Sequence, residues 1–254
     1  MQPGSRQRSE AEGLLRACAR ALFISCDSID AFLGRATPGQ LAACTSLLED
    51  ELSHRERAKR GRLLRQAGFP VPETLGGFDW PNVRLPDGWG ADEMRSLSFV
   101  DAAEDLVFFG KTGRGKSHAS IGLGTAAVAA GTPVRSYQTA RLVLALGKAK
   151  RDGTLDRVLA DVAKARLVIL GEFGHVPFDV DGARPPCQVI SDSHECRSIV
   201  FTTNVEFSRW GTVLAGDELA AAIVDRVARH GRLVEFGGPS HRLENSLMLG
   251  KGGE

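Results

Sequence analysis

Leu106-Val107-Phe108-Phe109-Gly110-Lys111-Thr112-Gly113-Arg114-Gly115-Lys116-Ser117 is the stretch on which the fold turns. Four apolar residues form a strand-like run, the pattern G-x-x-x-x-G-K-[ST] follows in full, and a helical pattern begins directly after it. Glycines let backbone amides curl around phosphates, and the N-terminus of the following helix favours anions. In such a loop Lys116 reaches the β- and γ-phosphates and Ser117 ligates magnesium. The expected nucleotide-binding set is Gly110, Lys111, Thr112, Gly113, Arg114, Gly115, Lys116, Ser117 and His118. Average residue frequencies put a chance match at about one in a hundred, before the strand and helix context lowers it.

Downstream, strand-like and helical runs alternate. A helix extends to Ala130, and a strand over Val134 to Tyr137 leads into a helix through Lys150. Further strands are expected at Leu167 to Leu170, Ile199 to Thr203 and Leu233 to Phe236. This alternation predicts a largely parallel sheet flanked by helices. Upstream, Thr37-Pro38-Gly39-Gln40 reads as a capped helix start. Its apolar stripe of Leu41, Cys44, Leu47, Leu48 and Leu52 gives way to a polar run before Gly68 and Pro70. Leu14, Leu15, Ala19 and Leu22 suggest another amphipathic helix. Between Gly68 and Gly90 the chain is rich in Pro, Gly and Asp but carries Phe78, Trp80 and Trp89, the composition of a packed connector. The expected domains are a helical N-terminal region with the start of the connector, 1–77, and an α/β nucleotide-binding domain, 78–254.

A parallel sheet of this kind needs an acid near the nucleotide. Arg166-Leu167-Val168-Ile169-Leu170-Gly171-Glu172 supplies Glu172, able to polarise an attacking water. Gly171, however, stands where a magnesium-associated aspartate is expected. Asn204, after the next apolar strand, is placed to orient water between nucleotide and acid, or simply to end the strand in a turn.

The order and spacing of several further segments carry a resemblance. They are Leu63 to Phe78, Gly110 to His118, Lys148-Ala149-Lys150-Arg151-Asp152-Gly153, Leu167 to Pro177, Phe207-Ser208-Arg209-Trp210-Gly211 and Ala220 to Arg226. With these the chain resembles the IstB family of transposition helper ATPases, similar in turn to DnaC-type helicase loaders, all AAA+ proteins. The resemblance implies a P-loop AAA+ core behind a small helical region. It also implies ATP and magnesium as cofactors, homo-oligomeric assembly on DNA, and delivery of a transposase or replicative helicase. By motif position it makes Asn204 a first sensor and Arg226 a second, with Glu172 as the catalytic acid. Ser191-Asp192-Ser193-His194 occupies the place of an arginine pair that reaches a neighbouring subunit. Arg184 and Arg197 are the nearby substitutes. Loss of such an arginine slows phosphoryl transfer by about three to five orders of magnitude. Together with Gly171, this points to nucleotide binding with weak hydrolysis. A binding module without turnover and a P-loop small-molecule kinase are the competing readings.

Net charge excludes a global attraction to polyanions, since 32 Lys plus Arg face 31 Asp plus Glu. Local attraction is left to Arg55, Arg57, Lys59, Arg60, Arg62 and Arg65, opposed in that run by Glu56 alone. Such a run either follows a non-specific DNA duplex or forms a solvated helix face. Five cysteines without a C-x-x-C pair fit reduced thiols, although Cys196 beside His194 and Glu195 admits a metal or thiol site. No apolar run is long enough for a membrane span, and the acidic Glu10 and Glu12 argue against a signal peptide. The cytoplasm is the expected location.

Overall fold

The computed structural model describes residues 3–175, 180–193, 195–214 and 217–240. It begins with α1 (Pro3–Ala21), α2 (Cys26–Leu33) and α3 (Pro38–Ala67). The start of α3 is the capping box expected from sequence. Thr37 N–H donates to Gln40 Oε1 at 2.9 Å and Gln40 N–H donates to Thr37 Oγ1 at 3.3 Å. Leu15 and Ala19 of α1 pack with Ile29 and Leu33 of α2 and Leu41 of α3, a core of the first compact unit, Met1–Arg62.

The second unit is Leu63–Glu254. Contacts divide the chain after Arg62. The reason is burial: Leu63 and Ala67, at the end of α3, and Leu75 of the connector belong to the second unit's core. After the connector come β1 (Val83–Arg84), α4 (Ala91–Ser96), α5 (Ser98–Asp101), β2 (Asp105–Phe109), α6 (Lys116–Ala129), β3 (Val134–Gln138) and α7 (Thr139–Arg151). The rest of this unit contains α8 (Leu155–Val162), β4 (Leu167–Gly171), α9 (Val180–Asp192), β5 (Ser198–Thr203), α10 (Trp210–Val213), α11 (Asp217–His230) and β6 (Gly231–Phe236).

These strands form one sheet in the order β1-β6-β2-β5-β4-β3, parallel throughout except that β1 runs antiparallel to β6. Side chains alternate across it as strand geometry requires. Leu106, Phe108, Leu167, Ile169, Val200 and Val234 enter one core with Met94, Phe99 and the α6 residues Leu123 and Ala127. Val107, Val168, Leu170, Ile199 and Phe201 enter the other, with Leu146, Cys187, Trp210, Ile223 and Val227 from the opposite helical layer. Both faces are covered, which accounts for the almost continuous apolar character of β2, β4 and β5.

The connector is seated by two devices. Gly122 in α6 lets it approach closely, because a Cβ there would lie 2.8 Å from Leu75 Cδ2 and 3.2 Å from the Leu75 nitrogen. Trp89 is held beneath the Arg232 guanidinium, 4.8 Å from the ring centre, and Arg232 makes two 2.7 Å hydrogen bonds to Glu104. The tryptophan that sequence placed in a packed connector is thus fixed against the strand that lies beside β2.

Candidate functional site

The loop leaving β2 is stitched to two neighbouring strands. Gly110 N–H donates to Thr203 O at 3.3 Å, at the end of β5, and Arg114 Nη1 donates to Phe236 O at 3.4 Å, at the end of β6. Gly110, Gly113 and Gly115 all have positive φ, at 151°, 85° and 88°. Gly110 shows why the first must be glycine: a Cβ there would lie 2.4 Å from Phe236 O. Lys116 Nζ curls back over the loop, donating to Gly110 O at 2.6 Å and Lys111 O at 2.8 Å.

A cavity of about 460 Å³ lies over this loop, bounded by Thr112 through His118 and by Glu172, His175, Thr202 and Thr203. Its remaining wall is the connector, through Glu73, Gly77, Phe78 and Asp79. Phe78 sits 3.2 Å from where a Gly115 Cβ would stand and packs edge-on against Trp80. His118 ties the connector to α6, with Nε2 2.8 Å from Thr74 O and Nδ1 3.4 Å from Glu73 Oε2. The volume is that of a small-ligand site. Glycine amides, the start of α6 and Lys116 give one side of it the chemistry of a phosphate cradle.

Across the cavity, Glu172 follows β4 in a left-handed conformation, φ 57°, which costs an ordinary residue about 1–2 kcal/mol. Neighbours hold it there. Its N–H donates to Thr202 Oγ1 at 3.1 Å, Phe173 N–H donates to Thr202 O at 2.8 Å, and Gln138 Nε2 donates to the Glu172 carboxylate. Thr139 Oγ1 donates to Gly171 O at 2.8 Å. Gly171 has room for a side chain, since its Cβ would sit 3.4 Å from Tyr137 O and 4.0 Å from Thr202 Oγ1. Ser117 lies on the cavity with its side chain exposed. Among the described residues no group of three His, Cys, Asp or Glu side chains could hold a metal ion. His194, beside Cys196, lies outside the described residues.

Two expected site residues lie elsewhere. β5 runs between β2 and β4, and the residues it brings to the cavity are Thr202 and Thr203. Thr203 Oγ1 accepts the Val205 N–H at 3.0 Å and donates to Phe173 O at 2.8 Å. This turn carries Asn204 into a second cleft of about 680 Å³ that it shares with Lys111, Arg114, Glu206 and Glu235. Arg226 is further from its expected place. It donates from Nη1 to Ser191 O at 2.7 Å, and its charge acts on Asp105, the first residue of β2. The cavity lies at the other end of that strand, about 13 Å away at the usual rise per residue. Because α11 runs directly into β6, a residue in its last turns is at the N-terminal end of the parallel strands, whereas phosphates bind at their C-terminal ends.

Arg114 is the arginine among the described residues that border the cavity. Asp192 is exposed, and the Arg184 side chain lies outside the described residues. Sequence reasoning missed Gln138, Thr202, Thr203 and His175. The two threonines had a signal, paired hydroxyls ending an otherwise apolar strand, but Gln138 becomes recognisable only when β3 is paired with β4.

Five of the six basic residues of the α3 run fall within Met1–Arg62, Arg65 lies in the second unit, and all six are exposed. Glu56 is not their sole opponent: Glu51 pairs with Arg55 at 2.7 Å, while Lys59 lies 4.0 Å from Glu56. Arg57 donates to Ser53 O at 3.3 Å. Helical spacing puts Arg55, Lys59 and Arg62 on one stripe, with Arg57 and Arg60 on the other side.

A family model described as IstB-like ATP binding protein matches residues 35–248. The insertion sequence IS21 putative ATP-binding protein of Pseudomonas aeruginosa is 33% identical over 207 residues, covering 82% of this chain and 78% of the relative. The IS5376 putative ATP-binding protein of Geobacillus stearothermophilus is 30% identical over 202 residues, covering 80% of each. Among solved structures, AMPPCP-bound DnaA from Aquifex aeolicus superposes with a TM-score of 0.53 at 15% identity, over 70% of this chain and 54% of that one. DnaI superposes with a TM-score of 0.50 at 18% identity, over 67% and 90%. These structural likenesses are of fold alone.

Proposed function

The chain belongs to the IstB-like ATP-binding protein family, and from that premise we propose that it binds ATP with magnesium, assembles on DNA and assists a transposase, turning ATP over slowly. The observation that carries the reading is the cradle itself: Gly110 shaped by Phe236, Lys116 folded over the loop, and Glu172 held across the cavity. The loop amides and the start of α6 bind the phosphates, and Lys116 exchanges two carbonyl oxygens for the terminal phosphate oxygens. Ser117 would be the protein ligand for magnesium, which would supply positive charge beside the phosphates. Gln138 and Thr202 orient Glu172 so that its carboxylate can take a proton from a water. Slow turnover follows from Gly171, which offers the metal shell no side chain, and from the lack of the arginine pair around Asp192.

DNA is met through the phosphate backbone by Arg55, Lys59 and Arg62, with Arg57, Arg60 and Arg65 on the remaining faces of α3. A transposase is the proposed partner because the relatives carry insertion-sequence names. A DnaC-like role as a helicase loader would use the same nucleotide chemistry. Binding without turnover is favoured specifically by Gly171.

Lys116→Ala tests the nucleotide reading. Loss of charge-assisted hydrogen bonds worth about 2–3 kcal/mol predicts roughly 30- to 160-fold weaker ATP binding in an equilibrium titration. Equal affinity in the folded variant overturns the assignment. Duplex-stimulated assembly or turnover supports the DNA role, whereas phosphorylation of a metabolite would favour a small-molecule kinase.

A further inference from the structure

Two threonines close β5, and their hydroxyls are used differently. Thr203 Oγ1 accepts the Val205 N–H and donates to Phe173 O at 2.8 Å, so its proton is committed inside the protein. Thr202 Oγ1 accepts the Glu172 N–H at 3.1 Å, and its own proton has no acceptor among the described residues. Thr202 is 2% exposed, yet it lines the cavity over the phosphate loop. A buried donor without a protein partner is uncommon in a folded core, and here it borders space that a ligand can fill.

Strand pairing fixes which way this hydroxyl faces. Val200, two residues earlier, enters the core built with α6, whereas Phe201 enters the opposite one. Alternation along the strand therefore turns Thr202 to the α6 side, where Lys116 and Ser117 open the helix. Thr202 pairs with Phe108 of β2, and continuing the β4–β5 register places Gly171 on its other flank. A Gly171 Cβ would stand 4.0 Å from Thr202 Oγ1. Where the expected aspartate is missing, the adjoining strand thus offers a hydroxyl.

We infer that the Thr202 hydroxyl donates a hydrogen bond to the terminal phosphate of bound ATP and so distinguishes ATP from ADP, an inference that rests on the nucleotide role proposed above. Loop amides hold the phosphate chain from the opposite side. The phosphate under attack lies towards Glu172, because that carboxylate has to reach the water beside it, and Thr202 is the hydroxyl bonded to the Glu172 backbone. Donation to a phosphate oxygen is charge-assisted, and it polarises the threonine oxygen, which then holds the Glu172 N–H more firmly. Arrival of the terminal phosphate is thereby passed to the left-handed backbone of Glu172. The role that sequence gave to Asn204 moves two residues back along the strand, since Asn204 is carried into the second cleft.

Isothermal titration of the full chain with ATP and with ADP, at equal free magnesium, is the test. Thr202→Val keeps the shape of the side chain without its hydroxyl. It is expected to weaken ATP binding about ten- to hundredfold while ADP affinity stays within about twofold. Thr202→Ser should keep the parental ratio of ATP to ADP affinity, as should Asn204→Ala. If Thr202→Val does not fold, Thr202→Ala carries the same comparison. Equal weakening of both nucleotides would show that the hydroxyl merely seats Glu172 and would overturn the inference, as would a parental ratio in the folded valine variant. Loss of the ratio in Asn204→Ala alone would return the terminal phosphate to Asn204. A parent that binds neither nucleotide overturns the nucleotide role itself.

Discussion

Asp105 stands at the first position of β2, only 7% exposed, with Oδ1 accepting the Ile199 N–H at 2.7 Å. Burial pushes its carboxyl up to about 7, against the opposing pull of the Ile199 hydrogen bond and the Arg226 charge. Relative to an ordinary value of 3.8, the folded protein retains a proton that the unfolded chain has released. Unfolding between these values sheds a proton, so stability is fullest below about pH 4 as far as this group is concerned. It falls as pH rises and levels off above about 7. At 1.36 kcal/mol per pH unit, the shift corresponds to about 4 kcal/mol between pH 4 and 8. Asp105→Asn keeps the oxygen that accepts from Ile199 but cannot titrate. Its stability should be nearly flat over the same window and exceed the parent's at pH 8, by about 4 kcal/mol less the cost of burying the amide NH₂, about 1–3 kcal/mol. Urea unfolding followed by tryptophan fluorescence is suitable, because Trp80, Trp89 and Trp210 all lie in the unit that contains Asp105. Parallel pH profiles for parent and variant would refute the reasoning.

Glu104 should behave with the opposite sign. Its hydrogen bonds from Arg232 hold its carboxyl below the usual value, so the contribution is present above about pH 4.5 and lost as pH falls through the folded value. Glu104→Gln should lower the urea midpoint at pH 7, by an amount that shrinks as pH falls below 4.5; a loss independent of pH through the acid range would refute the ion-pair account. Gly110→Ala should abolish ATP binding in a titration, since its methyl group cannot coexist with Phe236 O, and parental affinity would disprove the fit. Gly171→Asp is sterically admissible and should make nucleotide affinity more dependent on magnesium, with little gain in turnover. A folded variant with no magnesium effect would show that this position does not face the metal.

The sequence revealed the parallel core because both sheet faces are buried, so β2, β4 and β5 read as apolar runs, while the loop at Gly110 identified the edge where a ligand binds. The capped start of α3 was equally visible, since Thr37 and Gln40 satisfy each other within one turn. Position across the sheet was harder to infer. Arg226 has the residue type of a phosphate contact, but α11 delivers it to the wrong end of the strands. Asn204 sits one residue beyond Thr203, and a hydroxyl-closed turn sends it to the far side of the loop. β1 was invisible: two residues have no periodicity, and only pairing with Phe236 and Glu235 makes them a strand.

That pairing bears on how the protein is made. β6 lies between β1 and β2, so its slot stays open until residues 231–236 leave the ribosome, more than a hundred residues after the glycine loop has emerged. Gly110 and Arg114 both take their final geometry from Phe236. A nascent chain halted at β5 would carry the complete loop sequence without its closing strand. Acquisition of ATP affinity during translation therefore reports the insertion of β6, not the synthesis of the motif.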